Sequence, residues 1–248
     1  MREVMLITGA SRGIGAASAV LAAERGYDVA ISYRQDSGAA ESVAEQVRAH
    51  GARAAAIQAD VAVEDDVERM FATVDAELGT LAVLVNNAGT LDLQMRLDEM
   101  TAERVERTLK VNTLGVFLCC RAAVRRMSTR YGGNGGRIVN VSSVAARTGG
   151  PREYVDYAAS KGAVDSMTVG LANEVAEEGI RVNAVRPGIV YTELHALGGE
   201  PGRVDRVKAA VPMKRGGEAA EIARAILWLA SEESSYCTGS FMDVSGGR

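Results

Sequence analysis

Short apolar runs alternate with longer amphipathic stretches along almost the whole chain, and that alternation leaves few folds open. Val4-Met5-Leu6-Ile7, Tyr27 to Tyr33, Arg53 to Gln58, Leu81 to Val85, Arg137 to Val141 and Arg181 to Val185 are short and apolar. Such runs fit parallel strands covered on both faces. Between them the spacing predicts helices over Ala16 to Arg25, Gly38 to His50, Glu64 to Leu78, Thr101 to Arg130, Tyr154 to Glu178 and Glu218 to Ser231. A last short strand runs from Ser240 to Val244. Strands and helices in this order, joined by right-handed crossovers, give an α/β fold: a single doubly wound parallel sheet with helices on both faces. Ligands bind such sheets beyond the carboxyl ends of the strands. The glycine-rich turn after Ile7, Asp60, Asn86-Asn87-Ala88-Gly89, Ser143 and Pro187-Gly188 all follow predicted strands, so one edge of the sheet collects them.

The turn Thr8-Gly9-Ala10-Ser11-Arg12-Gly13-Ile14-Gly15 joins the first strand to the first helix. Gly9 permits the tight turn, while Gly13 and Gly15 let the backbone approach a pyrophosphate and the helix pack on the sheet. The helix N-terminus then offers unpaired N–H groups and a partial positive charge to the anion. The spacing is G-x-x-x-G-x-G rather than the commoner G-x-G-x-x-G. Counting from the glycines makes Asp36 a candidate for binding a ribose 2′-hydroxyl. Strand geometry favours another reading, because the second strand ends at Tyr33 and Arg34 follows it. Arg34 and Arg12 together suit a 2′-phosphate, which selects NADP over NAD.

Tyr157 and Lys161 stand four apart in Tyr157-Ala158-Ala159-Ser160-Lys161, hence on one face of a helix, one turn apart. A phenol titrates near ~10. A nearby ammonium favours the phenolate and is expected to draw that value toward neutrality, as a proton donor and acceptor needs. Tyr154 is a rival for the role, but the residue four further on is Ala158.

These motifs, in this order and over essentially the whole chain, resemble those of the short-chain dehydrogenase/reductases: Thr8 to Gly15, Asp60-Val61, Asn86 to Gly89, Asn112, Ser143, Tyr157 to Lys161, and Pro187-Gly188 with Thr192. The resemblance implies a Rossmann-type oxidoreductase domain over residues 1–248, with a substrate lid at 190–214. It implies hydride transfer between a nicotinamide and a carbonyl carbon, with Asn112, Ser143, Tyr157 and Lys161 as the catalytic set. Tyr157 would pass the proton, Ser143 would polarise the carbonyl oxygen, Lys161 would also hold the nicotinamide ribose, and Asn112 would support a water-linked proton path. Cofactor contacts are implied at Gly9, Ser11, Arg12, Gly13, Ile14 and Gly15 in the first turn, and at Arg34, Asp60 and Val61. Asn87, Ala88 and Gly89, then Tyr157, Lys161, Pro187, Gly188 and Thr192, complete the set. Ser142 is a neighbour easily mistaken for Ser143, which serves equally well to close a turn. The interval from Ser143 to Tyr157 is one residue longer than the family's commonest spacing, which places an extra residue within Gly149 to Tyr154, beside the substrate.

The remaining signals bound the answer. The 248 residues show no linker or repeat, and the formal charge of −4 argues against a nucleic-acid surface. No apolar run has membrane-spanning length and Met1-Arg2-Glu3 enters a strand directly, so the expectation is a cytoplasmic protein with a small carbonyl or alcohol substrate. Cys119, Cys120 and Cys237 read as buried thiols, and His50 and His195 have no ligand spacing, with His195 read as a solvated loop residue. Arg125, Arg126 and Arg130 close the long helix, the favourable end for cations, or dock an acidic carrier protein. A homotetramer built on the two long helices is expected by resemblance. Two alternatives in the same class are a 3-oxoacyl-carrier-protein reductase and a sugar dehydrogenase. A non-catalytic NADP sensor is the alternative outside it.

Overall fold

A computed structural model describes residues 2–248. Seven strands form one sheet: β1 Val4–Ile7, β2 Asp28–Tyr33, β3 Ala54–Gln58, β4 Leu81–Asn86, β5 Gly136–Val141, β6 Ile180–Pro187 and β7 Phe241–Val244. Every pairing is parallel and the order is β3-β2-β1-β4-β5-β6-β7. The direction of winding reverses between β1 and β4, the crevice where such sheets bind ligands.

Strand alternation divides the core in two. Val4, Leu6, Leu84 and Ile138 face one cluster with Phe71 and Met70, packed under helices α3 (Glu64–Glu77), α5 (Gly115–Met127) and α7 (Val155–Val175). Met5, Ile7, Val85 and Val139 face the other, under α1 (Gly13–Glu24), α2 (Ser37–Ala49) and α10 (Ala219–Leu229). Both faces are covered, which is why the strands read as unbroken apolar runs.

The expected single helix from Thr101 to Arg130 is corrected. Helix α4 (Ala102–Leu109) passes through a wider π turn, Lys110–Leu114, into α5, and Arg130 sits beyond in a separate turn, Thr129–Tyr131. The backbone widens where the Asn112 side chain is drawn onto Thr90, with Oδ1 accepting from Thr90 N at 2.8 Å and Nδ2 donating to Thr90 O at 3.0 Å. Wide turns of this kind recur at functional sites. A short helix, α6 (Ala145–Thr148), follows β5, and two more, α8 (Leu194–Leu197) and α9 (Arg203–Val207), follow β6. Cys119 and Cys120 are buried but Cys237 is partly exposed, against expectation. No helix among the described residues is long and apolar enough to cross a membrane.

Candidate active site

The turn after β1 is held from both neighbouring strands. Gly9 has φ +62°, and a Cβ there would lie 2.9 Å from Ala88 Cα; at Gly15 it would lie 2.5 Å from Asn87 Nδ2. No side chain fits either place. Asn87 Nδ2 donates to Thr8 O at 2.9 Å and to Gly9 O at 3.0 Å, and Thr8 Oγ1 accepts from the N–H groups of Asn87 and Ala88. From β2, Ser32 Oγ accepts from Gly9 N at 3.2 Å and Ser32 O accepts from Ala10 N at 2.9 Å. The sequence reading missed Ser32, whose only signal is a polar residue inside an apolar run. Helix α1 then begins with no side-chain cap and no acid in its first turn, so its leading N–H groups stay unpaired.

Most of the expected residues converge on a cleft of about 730 Å³ that runs along the carboxyl edge of the sheet. Gly9, Arg12, Gly13, Ile14, Asn87 and Gly89 line one part; Ser143, Tyr157, Lys161, Pro187, Gly188 and Thr192 line the rest. Ser11, Gly15, Arg34, Asp60, Val61, Ala88 and Asn112 are not in its wall. Asp60 accepts from Ala62 N at 2.9 Å, and buried Val61 packs where a Cβ on Gly115 would be, 2.8 Å from its Cγ2. Asn112 stands one layer behind, its Oδ1 3.5 Å and the Lys161 Nζ 3.6 Å from the point a Cβ on Gly89 would occupy. Arg34 is exposed just past Tyr33, the last residue of β2. Asp36 is committed elsewhere: it caps α2, accepting from Ala39 N at 2.9 Å. Neither Arg12 nor Arg34 forms an ion pair among the described residues, unlike Arg203 and Arg206 at the other end of the cleft.

Tyr157 and Lys161 lie one turn apart on α7, as the spacing requires. Lys161 Nζ donates to Val141 O at 2.8 Å and stands 5.7 Å from the Tyr157 ring centre. The expected downward pull on the phenol is overturned in this state: burial pushes Tyr157 up to about 12, with a hydrogen bond from Ser143 pulling weakly the other way. The physical reason is that the ammonium is aimed at a strand carbonyl while desolvation acts on both groups. Burial also brings Lys161 down to about 8, partly opposed by Asp165. Ser142 and Ser143 are both buried and both line the cleft, but their partners differ. Ser142 is buried and donates to Asp165 Oδ1 at 2.6 Å, whereas Ser143 faces the phenol and also closes its turn by accepting from Ala145 N at 3.1 Å.

His195 is not a solvated loop residue. It is buried, with Nε2 3.0 Å from Val190 O, and burial lowers its affinity for a proton. Tyr154 is buried too, its hydroxyl donating to Gly198 O at 3.4 Å, just past α8.

A family model described as enoyl-(acyl carrier protein) reductase matches residues 9–248. The uncharacterized oxidoreductase YgfF of Escherichia coli (strain K12) is 56% identical over 245 residues, covering 99% of each chain. The 3-oxoacyl-[acyl-carrier-protein] reductase FabG of Staphylococcus epidermidis is 38% identical over 250 residues, covering 100% of this chain and 99% of the relative. The crystal structure of acetoin dehydrogenase YohF from Salmonella typhimurium superposes with a TM-score of 0.87 at 34% identity, covering 100% of this chain and 97% of that one. A Rossmann-like parallel sheet with oxidoreductases as its relatives defines the class. Within it, the chain belongs to the short-chain dehydrogenase/reductase family, whose members use nicotinamide cofactors.

Proposed function

We propose that the protein is an NADP-dependent oxidoreductase that interconverts a carbonyl and a secondary alcohol, with Tyr157 as its acid and base. The observation that carries the reading is the meeting of Ser143, Tyr157 and Lys161 in one cleft with the Gly9–Gly13 turn. The turn fits a dinucleotide because Gly9 and Gly15 leave no room for a Cβ and α1 starts with unpaired N–H groups. Arg12 and Arg34, without carboxylate partners and placed just beyond the bonded pair Ala10–Ser32, favour a 2′-phosphate. One domain spans residues 1–248, with residues 190–214 as the lid over a small carbonyl or alcohol.

The bound nicotinamide supplies or accepts the hydride. In reduction Tyr157 gives its phenolic proton to the carbonyl oxygen; in oxidation it takes that proton from the alcohol. Ser143 holds Ala145 N with its oxygen and can turn the O–H it points at the phenol to the same oxygen as charge develops. Lys161 keeps two donors beyond the one on Val141 O, enough for ribose hydroxyls and for returning a proton to Tyr157. Asn112, held on Thr90 beside Gly89, completes the proton path through water.

The test is oxidation of NADPH and NADH against ketones, aldehydes, diketones, sugars and acetoacetyl thioesters. Turnover with NADPH is expected. The pH profile has a definite sign: with Lys161 at about 8 and Tyr157 at about 12, the ammonium and the phenol are both protonated below pH 8. Carbonyl reduction is therefore expected to hold level below about pH 8 and fall above it, and Lys161→Met should abolish that limb. A profile flat through pH 9 would remove Lys161 from the proton path.

The 38% identity to FabG supports a second reading, reduction of a carrier-bound 3-oxoacyl group. Against it, Arg125 and Arg126 already pair with Glu68 at 3.8 Å and Asp75 at 2.8 Å. The sugar dehydrogenase reading has no observation of its own, and the sensor reading leaves Tyr157 and Lys161 without a purpose. The same proposal makes the protein a homotetramer: Phe117 on α5 is half exposed, with Tyr131 and Val169 of α7 exposed as well. Light scattering is expected to report four chains, and Phe117→Glu to shift the population to smaller species.

A further inference from the structure

Three separate segments meet over the substrate side of the cleft, and each brings polar side chains. Glu153 and Tyr154 come from the loop ahead of α7; Glu200, Arg203 and Arg206 come from the lid; Gln94 comes from the segment after β4. Glu153 accepts from Arg203 and, at 3.1 Å, from Arg206. Arg206 also grips Glu200, at 2.7 Å through Nη2, and Gln94 donates to Glu200. The Arg203 guanidinium lies 4.9 Å over the Tyr154 ring. Two carboxylates therefore cancel two guanidiniums. Burial works to raise the Glu153 carboxyl, but Arg203 and Arg206 outweigh it and hold the group below its ordinary range.

Arg203 is the unusual member. Its side chain is 11% exposed, and its Nη1 has no hydrogen-bond partner among the described residues, the nearest carboxylate oxygen of Glu200 being 3.6 Å away. Arg203 and Glu153 share the wall of the cleft with Tyr157. Apolar side chains fill much of the wall, among them Leu91, Val144, Leu194, Leu197 and Val207, with Arg206 and the buried His195 beside them. Glu153 is delivered by a loop bent through positive φ at Gly149, Gly150 and Arg152, within the stretch Gly149 to Tyr154 where the family resemblance implies an extra residue.

We propose that this end of the cleft selects an uncharged carbonyl compound with apolar substituents, and that Glu153 is the specificity residue, masking Arg203 from substrate carboxylates. The inference rests on the oxidoreductase reading above and deepens it. A carboxylate entering the cleft gives up its hydration and must share the Arg203 guanidinium with Glu153, whose like charge opposes it, and with Glu200 3.6 Å from Nη1. A ketone or ester meets apolar walls and disturbs no ion pair.

The experiment compares acetoacetate with methyl acetoacetate, using whichever nicotinamide cofactor supports turnover. The parent enzyme is expected to prefer the ester. Glu153→Gln should raise kcat/KM for the acid about tenfold with the ester little changed, because Arg203 gains a charge-assisted partner. Adding Arg203→Met should cancel the gain. Glu200→Gln, which loosens the lid but leaves Glu153 on Arg203, should keep the parent's ratio. A parent that prefers the acid, or a ratio unmoved by Glu153→Gln, overturns the mask. Calorimetric titration of butyrate into the cofactor-loaded proteins gives a readout independent of turnover: binding is expected to Glu153→Gln and neither to the parent nor to the double variant. Butyrate binding in that order with no carbonyl reduced would sink the reaction and keep the mask. Turnover without that order would sink the mask alone.

Discussion

Tyr157→Phe is expected to lower turnover by about 10³-fold while leaving cofactor affinity unchanged, the scale of a lost general acid. The substitution removes one oxygen and keeps the ring. Its main structural neighbours survive it: Lys161 remains on Val141 O at 2.8 Å, and Ser143 remains on Ala145 N at 3.1 Å. The loss should appear in kcat and kcat/KM together, as for an interaction made only in the transition state. It should also be the same in both directions, since one phenol serves reduction and oxidation. Steady-state kinetics with a fluorescence titration of NADPH checks both halves. A variant with activity comparable to the parent would pass the proton role to another group in the cleft. A variant that loses NADPH affinity would show that the hydroxyl's contact with the cofactor, and not only its proton, was lost.

Neutralising the two unpaired arginines should have the next largest effect, and it should fall on one cofactor only. Arg12→Ala and Arg34→Ala are each expected to weaken NADPH binding about tenfold and leave NADH unchanged, with the double variant near the product of the two. The geometry behind this is specific. Ala10 and Ser32 are bonded across β1 and β2 at 2.9 Å, and the arginines stand two residues beyond each of them. Asp36, the residue that would have favoured NAD, spends its carboxylate on Ala39 N at the start of α2. Because both arginines are exposed, the preference for NADPH they confer should shrink as salt is added. Equal losses with NADH would mean that both arginines serve the pyrophosphate common to the two cofactors.

The sheet was legible because its strands are buried on both faces, so Val4–Ile7 or Leu81–Val85 need only a count of apolar residues. The site residues were legible because they follow those strands directly. Tyr157 and Lys161 needed only helical geometry. What sequence did not disclose depends on contacts far apart in the chain. The π turn at Asn112 preserves the apolar pattern on either side, so its periodicity passes for one long helix. The burial of His195 depends on Val190 O and on a segment tied down by the Arg203–Glu153 pair, and the second of these is not a local signal. The direction of Lys161 was hidden for the same reason: spacing places it beside Tyr157, but Val141 O decides where its ammonium goes.

The wide turn at Lys110–Leu114 also sets a phase. An α-helix advances about 100° per residue, so the extra backbone unit accommodated there fixes the rotation of α5 relative to α4. Removing one residue to restore regular winding would swing Phe117 away from the outer surface and carry Gly115 off Val61. The same five residues that hold Asn112 on Thr90 therefore decide which side of α5 looks outward. A length change in this turn cannot be repaired by a compensating side chain, since it displaces Asn112 and the outer face in one motion.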